Sequence, residues 1–501
     1  VSIEKKTGND SYRDILKSTS VIGGASLIKI LVAAVRTKFI AVLIGPTGVG
    51  LLGTYSQILL LVGEISDMGL EGSGVRQIAE AVGTGDKERI ARSVLTLRRM
   101  FWLTGGLGMT VLIVLCIPIS WITFDSSAYA LPIAFLSIII LINAIESGQG
   151  CILQGTRRIN DIAKRNIISS VNGALISIPC FYFWGQKGIV PSLILYAIAS
   201  LTTSWWFARR VSIKSVELSW SESRNEAMQL LKLGISFMGA GLAASLTGYL
   251  IRIILIRQFG FNDVGLYHAA YGLSGIVVGF VLNAMGTDYF PRLTAVSGDD
   301  SKVRRMINEQ TEVSILLALP ALAAMMVFAP LVIRIFYSES FIHAIPILRW
   351  NLFGVLGQVF SWPLGIVLLA KGKGRLYLFT ELLLSAGHIF TIYFCLWFWG
   401  LNGTGIAFMI TLFFYTVMMY FVVNRLIEPP WTNHIFKLVF LSSTVMAILM
   451  IVNSLNLNPF IIWGISIGIL TPVTYICLQQ LSKKSGISVA SLLSRLKGKQ
   501  H

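Results

Sequence analysis

Acidic residues are scarce in this chain: 24 Asp and Glu stand against 41 Lys and Arg in 501 residues, and charged residues reach only 13% of the total. A soluble fold keeps about a quarter of its residues charged, so a water-exposed globular domain is excluded. Cysteine is sparse too. Cys116, Cys151, Cys180, Cys395 and Cys477 are scattered in or beside apolar stretches, which leaves neither a disulfide framework nor metal-ligand pairing. There is no P-loop, metal-ligating cluster or catalytic-triad spacing, so neither ATPase nor hydrolase chemistry is encoded and no cofactor is expected. Gly48-Val49-Gly50-Leu51-Leu52-Gly53 spells a dinucleotide fingerprint but lacks the strand and acidic residue that give it a mechanism. The net charge of +17 is spread over many short segments and not gathered on one face or arm, which argues against nucleic acid as a partner.

What the chain does have is apolar sequence: 54% hydrophobic residues and a mean hydropathy of +0.73, more than one soluble core could bury. Runs long enough to cross a bilayer fall near 20–44, 49–70, 98–122, 128–151, 166–185, 188–208, 233–258, 264–290, 313–337, 346–370, 376–399, 402–424, 435–455 and 459–481. The fold class is an all-α polytopic membrane protein with about 14 transmembrane helices. The connections at 45–49 and 185–188 are short enough to demand tight hairpins. Lys and Arg alternate between rich and poor loops, from Lys5 and Lys6 through Lys371 and Lys373 to Lys483–Lys499, with Lys187 alone on the poor side. The positive-inside rule then places both termini in the cytoplasm, and polar Val1–Ser20 is no cleavable signal. The loop Glu71–Leu97 carries an amphipathic pattern at Val75, Ile78, Ala79 and Val82, read as an interfacial helix plus connector.

A self-comparison reveals a repeat at a constant offset of 215. Gly24 recurs as Gly239, Leu27 as Leu242, Gly45 as Gly260, and Val49-Gly50-Leu51 as Val264-Gly265-Leu266. Six spans separate equivalent points, so both copies enter the membrane in the same sense, giving two parallel-repeat six-helix lobes plus two C-terminal helices. The expected divisions are an N-lobe at 1–211, a C-lobe at 212–430, and helices 13 and 14 with a basic tail at 431–501.

Ionisable residues within the spans demand a reason, because each central Lys or Arg costs about 2.5–3.5 kcal/mol to insert. Lys29 and Arg36 lie two turns apart on one helical face, with Lys38 on another. Arg252 falls one position from the repeat equivalent of Arg36, and Arg257 follows it. Guanidinium suits bidentate phosphate recognition; pairing with Glu64 and Asp67 is the structural alternative. Glu64 and Asp67, Glu146, and Glu381 with His388 are the groups suited to ion coupling or charge balance. Small-residue rows such as Ala240-Ala244-Gly248, and Pro118, Pro132, Pro179, Pro320 and Pro363 within spans, suit close crossings and kinks.

The run FIAVLIGPTGVGLLGTYSQILLLVGEISDMGLEGSGVRQIAE, with its Gly-Pro-x-Gly-x-Gly turn at Gly45–Gly50, its Asp-x-Gly helix end at Asp67–Gly69 and the basic loop beyond, resembles the first helical hairpin of bacterial polysaccharide and O-antigen flippases. These belong to the multidrug/oligosaccharidyl-lipid/polysaccharide exporter superfamily. The resemblance implies two six-helix lobes that alternate access and move undecaprenyl-diphosphate-linked oligosaccharide from the inner to the outer leaflet of the bacterial cytoplasmic membrane, coupled to H+ or Na+. It implies lipid-linked oligosaccharide and membrane lipids as partners, with a glycan polymerase and chain-length machinery nearby. The cargo-binding role maps by analogy onto Lys29, Arg36 and Arg252. The two extra helices resemble those of peptidoglycan-lipid flippases, where such a pair forms a lipid-tail groove. A cation-coupled multidrug exporter is the alternative transporter, expected to have a more acidic and aromatic cavity. A membrane glycosyltransferase or polymerase would need an outer catalytic loop that the short connections do not provide.

Overall fold

Glycine and proline decide where the helices bend. In the computed structural model, which describes residues 8–213, 216, 218–427, 429–455 and 458–485, α1 (Gly8–Asp67) is two helical stretches joined at Gly45, whose φ of 63° lies in the region that favours glycine, with Pro46 following. The basic residues Lys5 and Lys6 and those beyond Ser485 lie outside the described residues.

The chain divides into two compact units, 1–265 and 266–501. The first contains α1, α2 (Leu70–Thr84), α3 (Lys87–Val114), α4 (Cys116–Phe124), α5 (Ala130–Gly155), α6 (Ile159–Trp184), α7 (Ile189–Ala208) and α8 (Trp220–Phe259). Next, α9 (Phe261–Ala295) crosses the division. The second unit continues with α10 (Asp300–Val327), α11 (Ala329–Phe336), α12 (Ile345–Ala370), α13 (Gly374–Trp399), α14 (Gly403–Asn424), α15 (Asn433–Ser454) and α16 (Pro459–Ser485). Among the described residues all regular structure is helical, and nine segments are long and apolar enough to cross a membrane. The chain is a multi-pass membrane protein.

The structure refines several expectations. The apolar runs at 98–122 and 313–337 are each broken, at Leu115 and at Phe328. Pro118 and Pro330 follow these breaks by three and two residues, and proline can neither donate to the preceding turn nor clear its carbonyl. Both runs also begin late. Helices α3 and α10 start well before the lipid-compatible stretch, each capped by an aspartate, Asp86 or Asp299, that accepts backbone N–H groups of the first turn. Hydrogen bonds from Ser301 and Lys302 hold the Asp299 carboxyl well below the usual carboxylate range. The expected interfacial segment is helical as α2, but its inward face is Leu70, Ser73, Gly74, Ile78 and Ala81, while Val82 is exposed. Gly74 and Ala81 take that face because small side chains permit close packing; a Cβ on Gly74 would sit 2.7 Å from Leu97. Around α2, residues Leu97, Phe101, Cys151 and Leu230 form a buried cluster drawn from α3, α5 and α8.

Gly45 and Gly260, paired at the offset of 215, share a positive φ. Gly260 joins α8 to α9 at a φ of 83°, as Gly45 joins the two parts of α1 at 63°. The corresponding glycines beyond the joints make reciprocal contacts inside the first unit: a Cβ on Gly50 would lie 2.2 Å from the Phe261 carbonyl oxygen, and one on Gly265 would lie 1.9 Å from that of Pro46. Only glycine permits that crossing. The tight connection at 185–188 is a single 3₁₀ turn, Gly185–Gly188. In the second unit, Asn308 bonds the Pro430 carbonyl and the Thr432 N–H, and Arg349 bonds Asn453 through its backbone and side-chain oxygens at 3.0 and 2.9 Å. These clamps pin both ends of α15.

Candidate functional site

Polar residues within an apolar helix bundle are retained where they meet partners or water. In the first unit such residues on α1, α2, α5 and α7 converge on a cavity of about 620 Å³, Glu71 coming from α2. From α1 come Ser56, Glu64 and Asp67; from α5, Asn143 and Ser147; from α7, Tyr196. Met238 and Gly241 of α8 complete the wall. Gly241 leaves space for the Glu64 carboxylate, which would lie 3.6 Å from a Cβ there, and Ser245 one turn on donates to that carboxylate. Asp67 accepts the Glu71 N–H at 3.4 Å where α1 gives way to α2 through Met68 and Gly69, both at positive φ.

Arg36 shares one of these wall residues. Its guanidinium lies 5.2 Å from the centre of the Tyr196 ring, and its Nε donates to Ser177 Oγ of α6 at 3.0 Å. Gly173, one turn from Ser177, leaves the room: a Cβ there would approach Arg36 Nη1 to 3.2 Å. The charge is thus held by a hydroxyl and an aromatic face. Among the described residues no ion pair joins Arg36 to Glu64 or Asp67.

The remaining candidates are placed as follows. Lys29 is exposed and Lys38 half-buried on α1. Arg252 is buried at 5% exposure and donates to the Gly248 carbonyl of its own helix at 2.9 Å. Beside it Gln57 donates to the Ser245 carbonyl, tying α1 to α8. Arg257 donates to the Trp121 and Ile122 carbonyls at 3.0 and 3.1 Å, satisfying the C-terminal end of α4. Glu146 lies in the first unit, accepting from Ser200 Oγ at 2.7 Å and Ser204 Oγ at 3.2 Å. In the second unit, Glu381 accepts from Tyr415 at 2.7 Å and His388 Nδ1 meets Thr411 Oγ1 at 3.2 Å. The structure therefore gathers Glu64 and Asp67 in one cavity with Arg36 behind its wall.

Sequence reasoning did not single out Ser147, Arg165, Tyr196 or Ser200 as site residues. A signal existed: Asn143, Glu146, Ser147 and Gly150 fall on one face of α5, and Tyr196, Ser200 and Ser204 recur every four residues along α7.

Residues 15–297 match the family of polysaccharide biosynthesis proteins, and the chain belongs to that family. The lipid III flippase of Escherichia coli (strain K12) is 21% identical over 376 residues, covering 73% of this chain and 88% of the relative. A putative O-antigen transporter of Shigella flexneri is 22% identical over 408 residues, covering 80% and 95%. Among solved structures, the lipid II flippase MurJ in its inward closed conformation superimposes with a TM-score of 0.71 at 13% identity, over 92% of this chain and 99% of that one. At that identity the likeness is one of fold.

Proposed function

We propose that the protein is a flippase that carries undecaprenyl-diphosphate-linked oligosaccharide, an O-antigen or similar surface-glycan unit, from the inner to the outer leaflet of the bacterial cytoplasmic membrane. The observation that carries this reading is a cavity of about 620 Å³ that sets Glu64, Asp67, Asn143 and Tyr196 among apolar side chains inside a bundle of membrane-type helices, in a chain of the polysaccharide biosynthesis family. The names of its flippase and transporter relatives support it. The activity is transport by alternating access between two six-helix lobes of a 14-span protein, divided at 1–211 and 212–430, with helices 13 and 14 appended and both termini in the cytoplasm. Arg36, together with Lys29, Lys38, Arg252 and Arg257, supplies positive charge for the diphosphate. Glu64, Asp67 and Glu146, with Glu381 and His388 in the second unit, balance that charge or couple H+ or Na+ movement.

The test is a deletion strain complemented with wild type or Arg36→Ala. Deletion is expected to remove surface glycan and accumulate its lipid-linked precursor. Arg36→Ala is expected to leave the protein in the membrane but reproduce the deletion phenotype. Unchanged glycan in the deletion strain would refute the flippase reading; full complementation by Arg36→Ala would refute the role of Arg36 alone.

A further inference from the structure

A second chamber, of about 340 Å³, adjoins the larger cavity and shares Glu71, Asn143, Ser147, Tyr196 and Ala197 with it. Its own additions are Glu146 and Gly150 of α5, Arg165 of α6 and Ser200 of α7. We propose that this chamber is a sugar subsite, taking a hydroxyl-bearing saccharide unit of the cargo while the diphosphate stays outside it. The proposal rests on the flippase reading and adds to it where the glycan is recognised.

The hydrogen-bonding capacity left in the chamber supports this. Glu146 uses only Oε1 to accept from Ser200 and Ser204, so among the described residues Oε2 remains an open acceptor. Asn143 is exposed to the cavities, and its amide makes no hydrogen bond among the described residues, leaving both donor and acceptor. Arg165 makes one long bond, 3.4 Å to Asn166 Oδ1, and keeps most of its donor fork. Sugar hydroxyls both donate and accept, and such a mixture of open acceptors, donors and an aromatic ring suits them.

Charge selects among ligands. Two carboxylates, Glu71 and Glu146, face one guanidinium in the chamber, so a diphosphate entering it would meet net repulsion. A cation would be drawn by the carboxylates, though less than by the pair alone, because Arg165 offsets one of the two charges. Neutral hydroxyls escape the anion's penalty and can use the donors as well as the acceptors. Gly150 is part of the construction: a Cβ there would lie 3.1 Å from Arg165 Nη1, crowding the guanidinium.

Purified protein in nanodiscs tests the proposal with two probes: lipid-linked oligosaccharide extracted from the deletion strain, and bare undecaprenyl diphosphate. The readout is the ratio of the two affinities. Wild type is expected to favour the glycan-bearing lipid, and Glu146→Gln and Asn143→Ala are expected to cut that preference about tenfold, the effect of unpaired polar groups in a binding site. Ser147→Ala, the mildest change, supplies the same measurement if either variant fails to fold. Equal loss of both affinities, or an unchanged ratio, would overturn the sugar subsite while leaving the flippase reading intact. Failure of wild type to bind either lipid would overturn the flippase reading, and the subsite with it.

Discussion

In the first half of the chain Ser200 leaves Glu146 beside an open chamber; 215 residues further on, Tyr415 stands at the position equivalent to Ser200 and donates to Glu381 at 2.7 Å. The surrounding backbones are alike. Helices α5 and α12 are each 26 residues long, as are α6 and α13. The helix breaks at Leu115 and Phe328 have nearly the same backbone angles, φ −91° and −90°. Several chamber side chains differ, since Glu146, Ser147, Arg165 and Tyr196 correspond at that offset to Ser361, Trp362, Thr380 and Thr411, while Gly150 corresponds to Gly365 and Asn143 to Gln358. The arginine cradle differs in the same way, since Gly173, which makes room for Arg36, corresponds to His388. A repeated skeleton therefore constrains only positions where backbones touch or turn. Polar chemistry can be concentrated in one half and replaced by bulk in the other.

The most severe way to break that contrast is to import the second half's side chain. Ser200→Tyr would place a phenol where the chamber opens, filling it and removing the Ser200 hydrogen bond to Glu146. Surface glycan is expected to fall tenfold or more, as displaced binding contacts would require, while membrane levels of the protein stay near wild type. Export at the wild-type rate would show that the filled and open versions are interchangeable, and the functional contrast between the halves would be lost.

A second comparison concerns the skeleton alone. A Cβ on Gly188 would lie 2.3 Å from the Cys180 carbonyl oxygen, and one on Gly403 would lie 2.2 Å from that of Cys395. Backbone cannot yield cheaply to such a contact, so Gly188→Ala and Gly403→Ala should each destabilise by about 3 kcal/mol, read as matching falls in the unfolding midpoint of the purified protein. A large effect in one half and none in the other would mean that the repeat is geometric but not energetic.

Much of this skeleton was legible in the sequence. Apolar runs overlap all nine described segments long and apolar enough to cross a membrane, and the pairing of Gly45 with Gly260 anticipated two matching joints, though not the reciprocal crossing of Gly50 and Gly265. Hydropathy reports contact with lipid and not backbone conformation, so it missed the capped polar turns that begin α3 at Lys87 and α10 at Asp300. The site was less legible. Serine and threonine in helices often bond the preceding turn, as Thr54 does to the Gly50 carbonyl, so a Ser in an apolar run says little about a cavity. Joining Ser200 to Glu146 across 54 residues, or Arg36 to Ser177 across 141, required the packing of α1, α5, α6 and α7.

The smallest expected effect makes the finest comparison. Gly185 and Gly400 end α6 and α13 at φ 52° and 54°, and neither has a heavy atom within 4 Å of where a Cβ would stand. Substitution by alanine therefore adds no clash and tests backbone strain alone. With ψ at −131° and −142° both lie in a region kept almost to glycine, where an L-residue costs about 1–3 kcal/mol, so Gly185→Ala and Gly400→Ala should lower the unfolding midpoint equally and by no more than the Gly188 and Gly403 variants. Asparagine, whose tolerance is for the left-handed helical region, should recover none of the loss at ψ −131° and −142°. If alanine is harmless at one of them, that helix end has another conformation open to it, and the two hairpins are equivalent in shape but not in rigidity.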